Sequence, residues 1–129
     1  MTYSLHHVHL ICRDLEKMIG FFEEAIGAEL VERRKFGTAD GAILDLQGID
    51  INLRVAREGE NLRENLTPSG YGYDHIGLQV EDVQAAYDDL SKRGYSFFMM
   101  PTEAAGLMIA FFKGPENITI ELVQPLDLQ

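Results

Sequence analysis

The chain of 129 residues holds a single cysteine, Cys12, so no internal disulfide can form, in keeping with a reducing cytoplasm. It also lacks any segment approaching the ~20 consecutive apolar residues of a membrane helix, because charge interrupts the apolar runs every few residues. Its opening residues show no basic stretch followed by an apolar core and a small-residue cleavage site, so a secretory signal is not expected. Basic residues are scarce: 11 Lys and Arg stand against 21 Asp and Glu, a formal charge of -10. Such a chain repels phosphate backbones and anionic lipid, which disfavours nucleic acid and membrane surfaces as partners. Metal cations and small molecules remain open. With 46% hydrophobic residues, the length suits one compact domain, residues 1–129, that buries roughly two-thirds of the surface its unfolded form exposes.

What the sequence does contain is an internal repeat. HVHLICRDLEK, from His7, aligns with HIGLQVEDVQA, from His75. Each copy opens on histidine, reaches an aspartate seven positions later at Asp14 or Asp82, and fills the interval with alternating apolar residues. Behind each aspartate the apolar spacing turns helical, through Leu15, Met18, Ile19, Phe22 and Ile26 in the first copy and Val83, Ala86, Tyr87 and Leu90 in the second. Each aspartate reads as the cap of its helix, and Gly27 and Gly94 as the left-handed residues that end it. Three strand-like runs follow in each copy, at 28–36, 41–47 and 49–56 and again at 95–100, 107–113 and 117–123. The repeat is βαβββ and the class α+β, with module 1 over 5–56, module 2 over 73–124 and a polar, Pro- and Gly-containing linker at 57–72.

Strand periodicity then sorts the side chains. In the last strand of module 1, Ile49, Ile51, Leu53 and Val55 share one face and Asp50, Asn52 and Arg54 the other; in module 2, Ile118, Ile120 and Leu122 oppose Thr119, Glu121 and Val123. The apolar faces need the amphipathic helices as cover. The polar faces are left to line a cleft enclosed by two curved sheets, and His7, His75, Asn52 and Glu121 should line it. His9 shares the face of His7, whereas His6, Val8, Leu10 and Cys12 point to the helix side, with Cys12 a core thiol.

Two βαβββ modules, opening with HVHL and HIGL and closing with IELV, resemble the vicinal oxygen chelate superfamily, which includes glyoxalase I, methylmalonyl-CoA epimerase, extradiol dioxygenases, and fosfomycin and bleomycin resistance proteins. The resemblance covers nearly the whole chain. It implies paired modules forming a curved mixed sheet around a cleft, with a metal bound by the opening-strand histidine and a closing-strand residue of each module. Carried over by position, these are His7 and Asn52, then His75 and Glu121. The implied ligands are His7, His75 and Glu121, a set suited to one divalent ion, Zn, Ni, Co, Mn or Fe. Asn52 departs from the carboxylate or glutamine usual in glyoxalase I and is read as a hydrogen-bonding partner of a metal-bound water or a substrate oxygen. His9 is read as a substrate or outer-sphere residue, in place of the threonine of fosfomycin resistance enzymes.

The family chemistry is stabilisation of an enolate by the metal, with a side chain removing the proton next to the carbonyl. Glu121 is the candidate for ligand and base together. Asp45, which alternates with Leu44 and Leu46, is a second candidate base, and Arg54, with Arg57 and Arg63, a candidate for binding an anionic substrate group. The resemblance thus implies a metal-dependent lyase or isomerase/epimerase of the glyoxalase type acting on a small oxygenated substrate. Its alternatives are a bleomycin-type drug-binding resistance protein, which the charge of -10 favours, and a non-haem iron dioxygenase, which Phe111 and Phe112 disfavour where a tyrosine and a histidine are expected. Uncovered module edges point to a homodimer.

Overall fold

The computed structural model describes residues 1–64 and 70–127; Pro68, expected in the linker, lies outside them. The chain divides into two compact units, Met1–Glu64 and Asn65–Gln129. Unit 1 contains β1 (His7–Ile11), α1 (Leu15–Gly20), a π-helical continuation (Phe21–Ile26), β2 (Glu29–Phe36), β3 (Ala39–Leu46) and β4 (Ile49–Arg54). Unit 2 contains β5 (Ile76–Gln79), α2 (Val83–Lys92), β6 (Phe97–Ala104), β7 (Leu107–Lys113), a 3-10 turn (Pro115–Asn117) and β8 (Thr119–Pro125). The sheets run β1-β4-β3-β2 and β5-β8-β7-β6, each with one parallel pair, β1 with β4 or β5 with β8, and two antiparallel pairs. The βαβββ repeat and the α+β class are therefore present in both halves.

The two aspartates start the helices as their chemistry requires. Asp14 accepts from the Lys17 N–H at 3.0 Å and Asp82 from the Ala85 N–H at 3.0 Å, each satisfying a donor that has no partner within the helix. Gly27 ends the first helical segment at φ 87°, a left-handed conformation that costs other residues a Cβ clash. Between Gly20 and Gly27 the helix widens to π geometry. The wider turn shifts the apolar stripe by one residue, so Phe21 is buried together with Phe22, although the 3.6-residue spacing selects Phe22 alone.

Alternation builds the two cores. In unit 1, Met18, Ile19, Phe21 and Phe22 are buried, as are Ala42 and Leu44 of β3 and Ile51 and Leu53 of β4. In unit 2 the buried set is Val83 and Leu90 from α2 with Ala110, Phe112, Ile120 and Leu122 from the sheet. Each large aliphatic or aromatic side chain so buried contributes roughly 1.5–3 kcal/mol. Cys12 is buried too, its thiol 3.5 Å from the Arg54 carbonyl.

Several strand boundaries differ from the expected ones, each for a local reason. β6 starts at Phe97 rather than residue 95 and runs on to Ala104, through Pro101, because it is an edge strand that needs no donor on its outer side. β8 starts at Thr119 because Glu116 and Asn117, both at positive φ, hold the preceding residues in a turn. β3 begins at Ala39 and ends at Leu46, where Gln47 and Gly48, also at positive φ, form a two-residue hairpin turn.

Candidate functional site

In unit 2 the side chains of the histidine and the glutamate meet. His75 immediately precedes β5, and the parallel register sets Gly77 opposite Glu121. His75 Nε2 consequently lies 3.1 Å from Glu121 Oε1, with the imidazole about a third exposed and the carboxylate largely buried. The other ring nitrogen, Nδ1, is 2.7 Å from Asp74 Oδ2. The hydrogen bond that the His75 ring donates to Asp74 is the main influence raising the His75 pKa; burial opposes it and the Glu121 charge adds to it. The ring is further fixed by an edge-on contact with Phe111, centroids 5.2 Å apart.

This arrangement fits a divalent cation. With Asp74 accepting the Nδ1 proton, a neutral imidazole directs its Nε2 lone pair at an ionised carboxylate, and the two repel unless a positive species lies between them. A proton or a metal ion meets that need. A carboxylate behind the non-ligating nitrogen is moreover the usual support of a metal-binding histidine, since it fixes the tautomer and raises the basicity of the other nitrogen.

Unit 1 presents His7, His9 and Asn52 on one face of its sheet. The parallel pairing sets His7 opposite Asp50 and His9 opposite Asn52, so that Asn52 holds the place of Glu121 and His9 that of Gly77. His7 Nδ1 is 2.9 Å from His6 Nδ1. Asn52 is 8% exposed, and its Oδ1 is buried with no hydrogen-bond partner among the described residues, an acceptor facing nothing that can donate to it. The His9 ring rests edge-on against Phe36, centroids 4.6 Å apart. Burial lowers the His9 pKa, reinforced by the positive charge of Arg54 and by His7 and Arg57, and so favours the neutral imidazole.

Two other expected residues are engaged elsewhere. Asp45 sits opposite Asp50 at the end of the β3–β4 hairpin, and its Oδ1 accepts from the Gly48 N–H at 3.2 Å, which makes it a turn cap. Arg54 is 6% exposed and gives both terminal nitrogens to Glu60, at 2.7 and 3.0 Å. The same carboxylate accepts from the Arg57 N–H at 3.0 Å. Arg54 thus anchors the segment after β4 and has no terminal nitrogen left without a carboxylate. Within neither unit do three or more His, Cys, Asp or Glu side chains converge, among the described residues, on a metal-sized space; unit 1 offers His7, and unit 2 offers His75 and Glu121.

Sequence reasoning passed over Asp74, Glu60 and a pocket. Asp74 carried a visible signal, an acidic residue adjoining a candidate ligand, whereas Glu60 sits in a polar stretch with nothing to distinguish it from its neighbours. The pocket, about 460 Å³ and entirely within unit 2, is walled by Phe98, Met99 and Phe111, with Asp74, Lys113, Asn117 and Thr119 as polar groups. Phe111 joins it to His75.

Comparison with known proteins converges on one family. The family model described as Glyoxalase/Bleomycin resistance protein/Dioxygenase superfamily matches residues 4–122. The chain is similar to "Glyoxylase I 4" of Arabidopsis thaliana, 28% identical over 121 residues that cover 92% of this chain and 69% of that protein. It is also similar to a "Lactoylglutathione lyase" of Schizosaccharomyces pombe, 25% identical over 143 residues, covering 95% of this chain and 47% of that one; the chain thus spans about half the length of that relative. Among solved structures, a glyoxylase/bleomycin resistance protein/dioxygenase domain from Frankia sp. EAN1pec has the same fold, with a TM-score of 0.81 at 22% identity, over 100% of this chain and 96% of the other.

Proposed function

Because the chain belongs to the glyoxalase/bleomycin resistance protein/dioxygenase superfamily, we propose that it is a metal-dependent lyase or isomerase of the glyoxalase type, acting on a small oxygenated substrate. The observation that carries this reading is the His75–Glu121 pair, 3.1 Å apart, with Asp74 behind the imidazole. Lactoylglutathione lyases among its relatives support the reaction class. His75 and Glu121 would hold the ion, and the family resemblance adds His7 to the donor set. A divalent ion bound there supplies Lewis-acid stabilisation of negative charge on a substrate oxygen.

The remaining chemistry falls to the side chains. The Glu121 carboxylate removes the proton from the carbon next to the substrate carbonyl and returns it on the same face to the neighbouring carbon, which completes an isomerisation; an epimerisation needs a second acid on the opposite face. Asp74 keeps the proton of His75 on Nδ1, leaving Nε2 as donor atom. Asn52 Oδ1, buried and without a hydrogen-bond partner among the described residues, accepts from a hydroxyl or a water of the bound substrate complex. His9, held neutral by its surroundings, stands beside Asn52 as a hydrogen-bonding group that adds no charge.

The test is a screen of metal-reconstituted protein against thiol adducts of α-keto aldehydes and against acyl-CoA epimers. Turnover of one class that is lost in Glu121→Gln supports the proposal; no turnover of either, with metal stoichiometrically bound, argues against it. We also infer a cytoplasmic homodimer, supported by the single buried thiol and by sheets that each end on two edge strands. Sedimentation showing only monomer at tens of micromolar protein would reject the dimer.

A further inference from the structure

The pocket of unit 2 contains a cation that its surroundings do not neutralise. Lys113 Nζ donates to Thr119 Oγ1 at 2.7 Å and lies over the Phe98 ring, 5.2 Å from its centroid. Among the described residues no carboxylate reaches it as an ion-pair partner, although the chain has almost twice as many acidic as basic residues, 21 against 11. The one carboxylate in the pocket lining, Asp74, is bonded to His75. An ammonium has three donor hydrogens, and a single hydroxyl and a ring face leave one without an acceptor. Thr119 is itself buried, and the hydroxyl that accepts from Lys113 keeps its own O–H for another acceptor. Two donors therefore lie side by side with room for one anionic group.

The walls indicate what the rest of the ligand is like. Phe98 and Met99 remain 58% and 37% exposed, and the Phe98 and Phe111 rings lie 5.6 Å apart, tilted by 34°. Uncovered aromatic area next to an unsatisfied ammonium suits a molecule that is apolar along its body and negative at one end. The volume of about 460 Å³ falls within the ~300–1,000 Å³ of small-molecule sites. Asp74, at the His75 side, disfavours a second anion there and so sets the direction of binding.

We infer that this pocket is a recognition subsite for an organic carboxylate, with Lys113 and Thr119 holding the carboxylate and Phe98 and Phe111 flanking an apolar or aromatic body. The inference rests on the proposed function only in naming the ligand as substrate: it makes the substrate class carboxylic acids with an apolar body, and Lys113 the residue that determines it.

The probes are naphthalene-2-carboxylate and its neutral counterpart naphthalene-2-carboxamide, titrated by calorimetry into the full chain after chelator treatment, so that no metal can hold the carboxylate. The carboxylate should bind at least about tenfold more tightly than the amide, as a charge-assisted hydrogen bond implies. Lys113→Met should bring the two ligands level, Lys113→Arg should restore the preference, and Phe98→Ala should weaken both alike, with circular dichroism showing each variant folded. Equal binding of the two probes by the native chain, a preference that survives in Lys113→Met, or a preference that needs added metal would each overturn the inference. Because the titration is made without metal, failure of the metal site leaves its outcome unchanged.

Discussion

His75 and Glu121 face each other at 3.1 Å across the two parallel strands of unit 2, nitrogen to oxygen. Gly77, directly opposite Glu121, helps to make this contact possible. A Cβ at that position would lie 3.5 Å from Glu121 Oε1, and any longer side chain would crowd the carboxylate away from the imidazole. In unit 1 the corresponding pair of positions holds His9 and Asn52. The two halves of the repeat have therefore kept one backbone register and placed different chemistry on it.

Asp74 holds the His75 ring from behind, so its removal should act on metal affinity through the imidazole. Asp74→Ala is expected to weaken binding of a divalent ion by about 10–100-fold while leaving the folded far-ultraviolet spectrum unchanged. Competition against a chromophoric chelator measures this; an affinity within twofold of the native protein would show that the Asp74 contact does not support a ligand.

Asn52 carries a buried acceptor that finds no donor among the described residues. Replacing such a group by an apolar side chain of similar shape is neutral or stabilising, by about 1 kcal/mol, so Asn52→Leu should unfold in urea at the same or a higher concentration than the native chain and yet lose turnover. Its metal affinity, and that of Asn52→Ala, should stay within a few-fold of the native value. A loss of about a hundredfold or more in metal affinity would instead show that Asn52 coordinates the ion.

Gly41 allows β3 to approach β4 and the Phe36 ring. A Cβ there would collide with the Leu53 carbonyl oxygen and lie 2.6 Å from Phe36 Cδ2, and the carbonyl is backbone that cannot turn aside. Gly41→Ala should therefore destabilise unit 1 by about 3 kcal/mol or more and displace the ring on which His9 rests. Denaturant unfolding and the His9 ring resonances report the two effects; native stability would contradict the close packing.

Glu60 gives a pH signature. Its hydrogen bonds from Arg54, and secondarily from the Arg57 N–H, lower its pKa to about 2. A carboxyl depressed in the folded state contributes stability that is fully present above its unfolded value, roughly 4.3, and is lost as pH falls towards the folded value. The native protein should lose stability between about pH 4.5 and pH 2 partly through this group, and Glu60→Gln, less stable at neutral pH because Arg54 is then buried without a counter-charge, should show a flatter acid limb. Parallel acid limbs for the two proteins would mean that the pair contributes nothing.

Much of this was legible in the sequence because it follows from period and repetition. The aspartate caps, the helix-facing residues of β4 and β8, and the matching of His7 with His75 and of Asn52 with Glu121 follow from alternation and one internal alignment, and the strand registers carry the same matching. The π-helical turn after Gly20 was not legible, because a change in backbone hydrogen bonding leaves the apolar residue types as they were. The roles of Asp45 and Arg54 were not legible either, since an acidic or basic residue on a strand reads the same whether it meets a ligand, a turn N–H or a carboxylate six residues away. The pocket depends on how Phe98, Phe111 and Lys113 come together from two antiparallel strands with a bulge between Phe97 and Met99, which side-chain spacing alone does not specify.

The central claim is that His75 is a ligand of a divalent ion, and metal content per chain tests it most directly. Protein purified without chelator, or reloaded with a single divalent metal and dialysed, should carry one ion per chain by elemental analysis, and His75→Ala, shown by circular dichroism to be folded, should carry almost none. A folded His75→Ala protein that retained the full complement of metal would contradict the account.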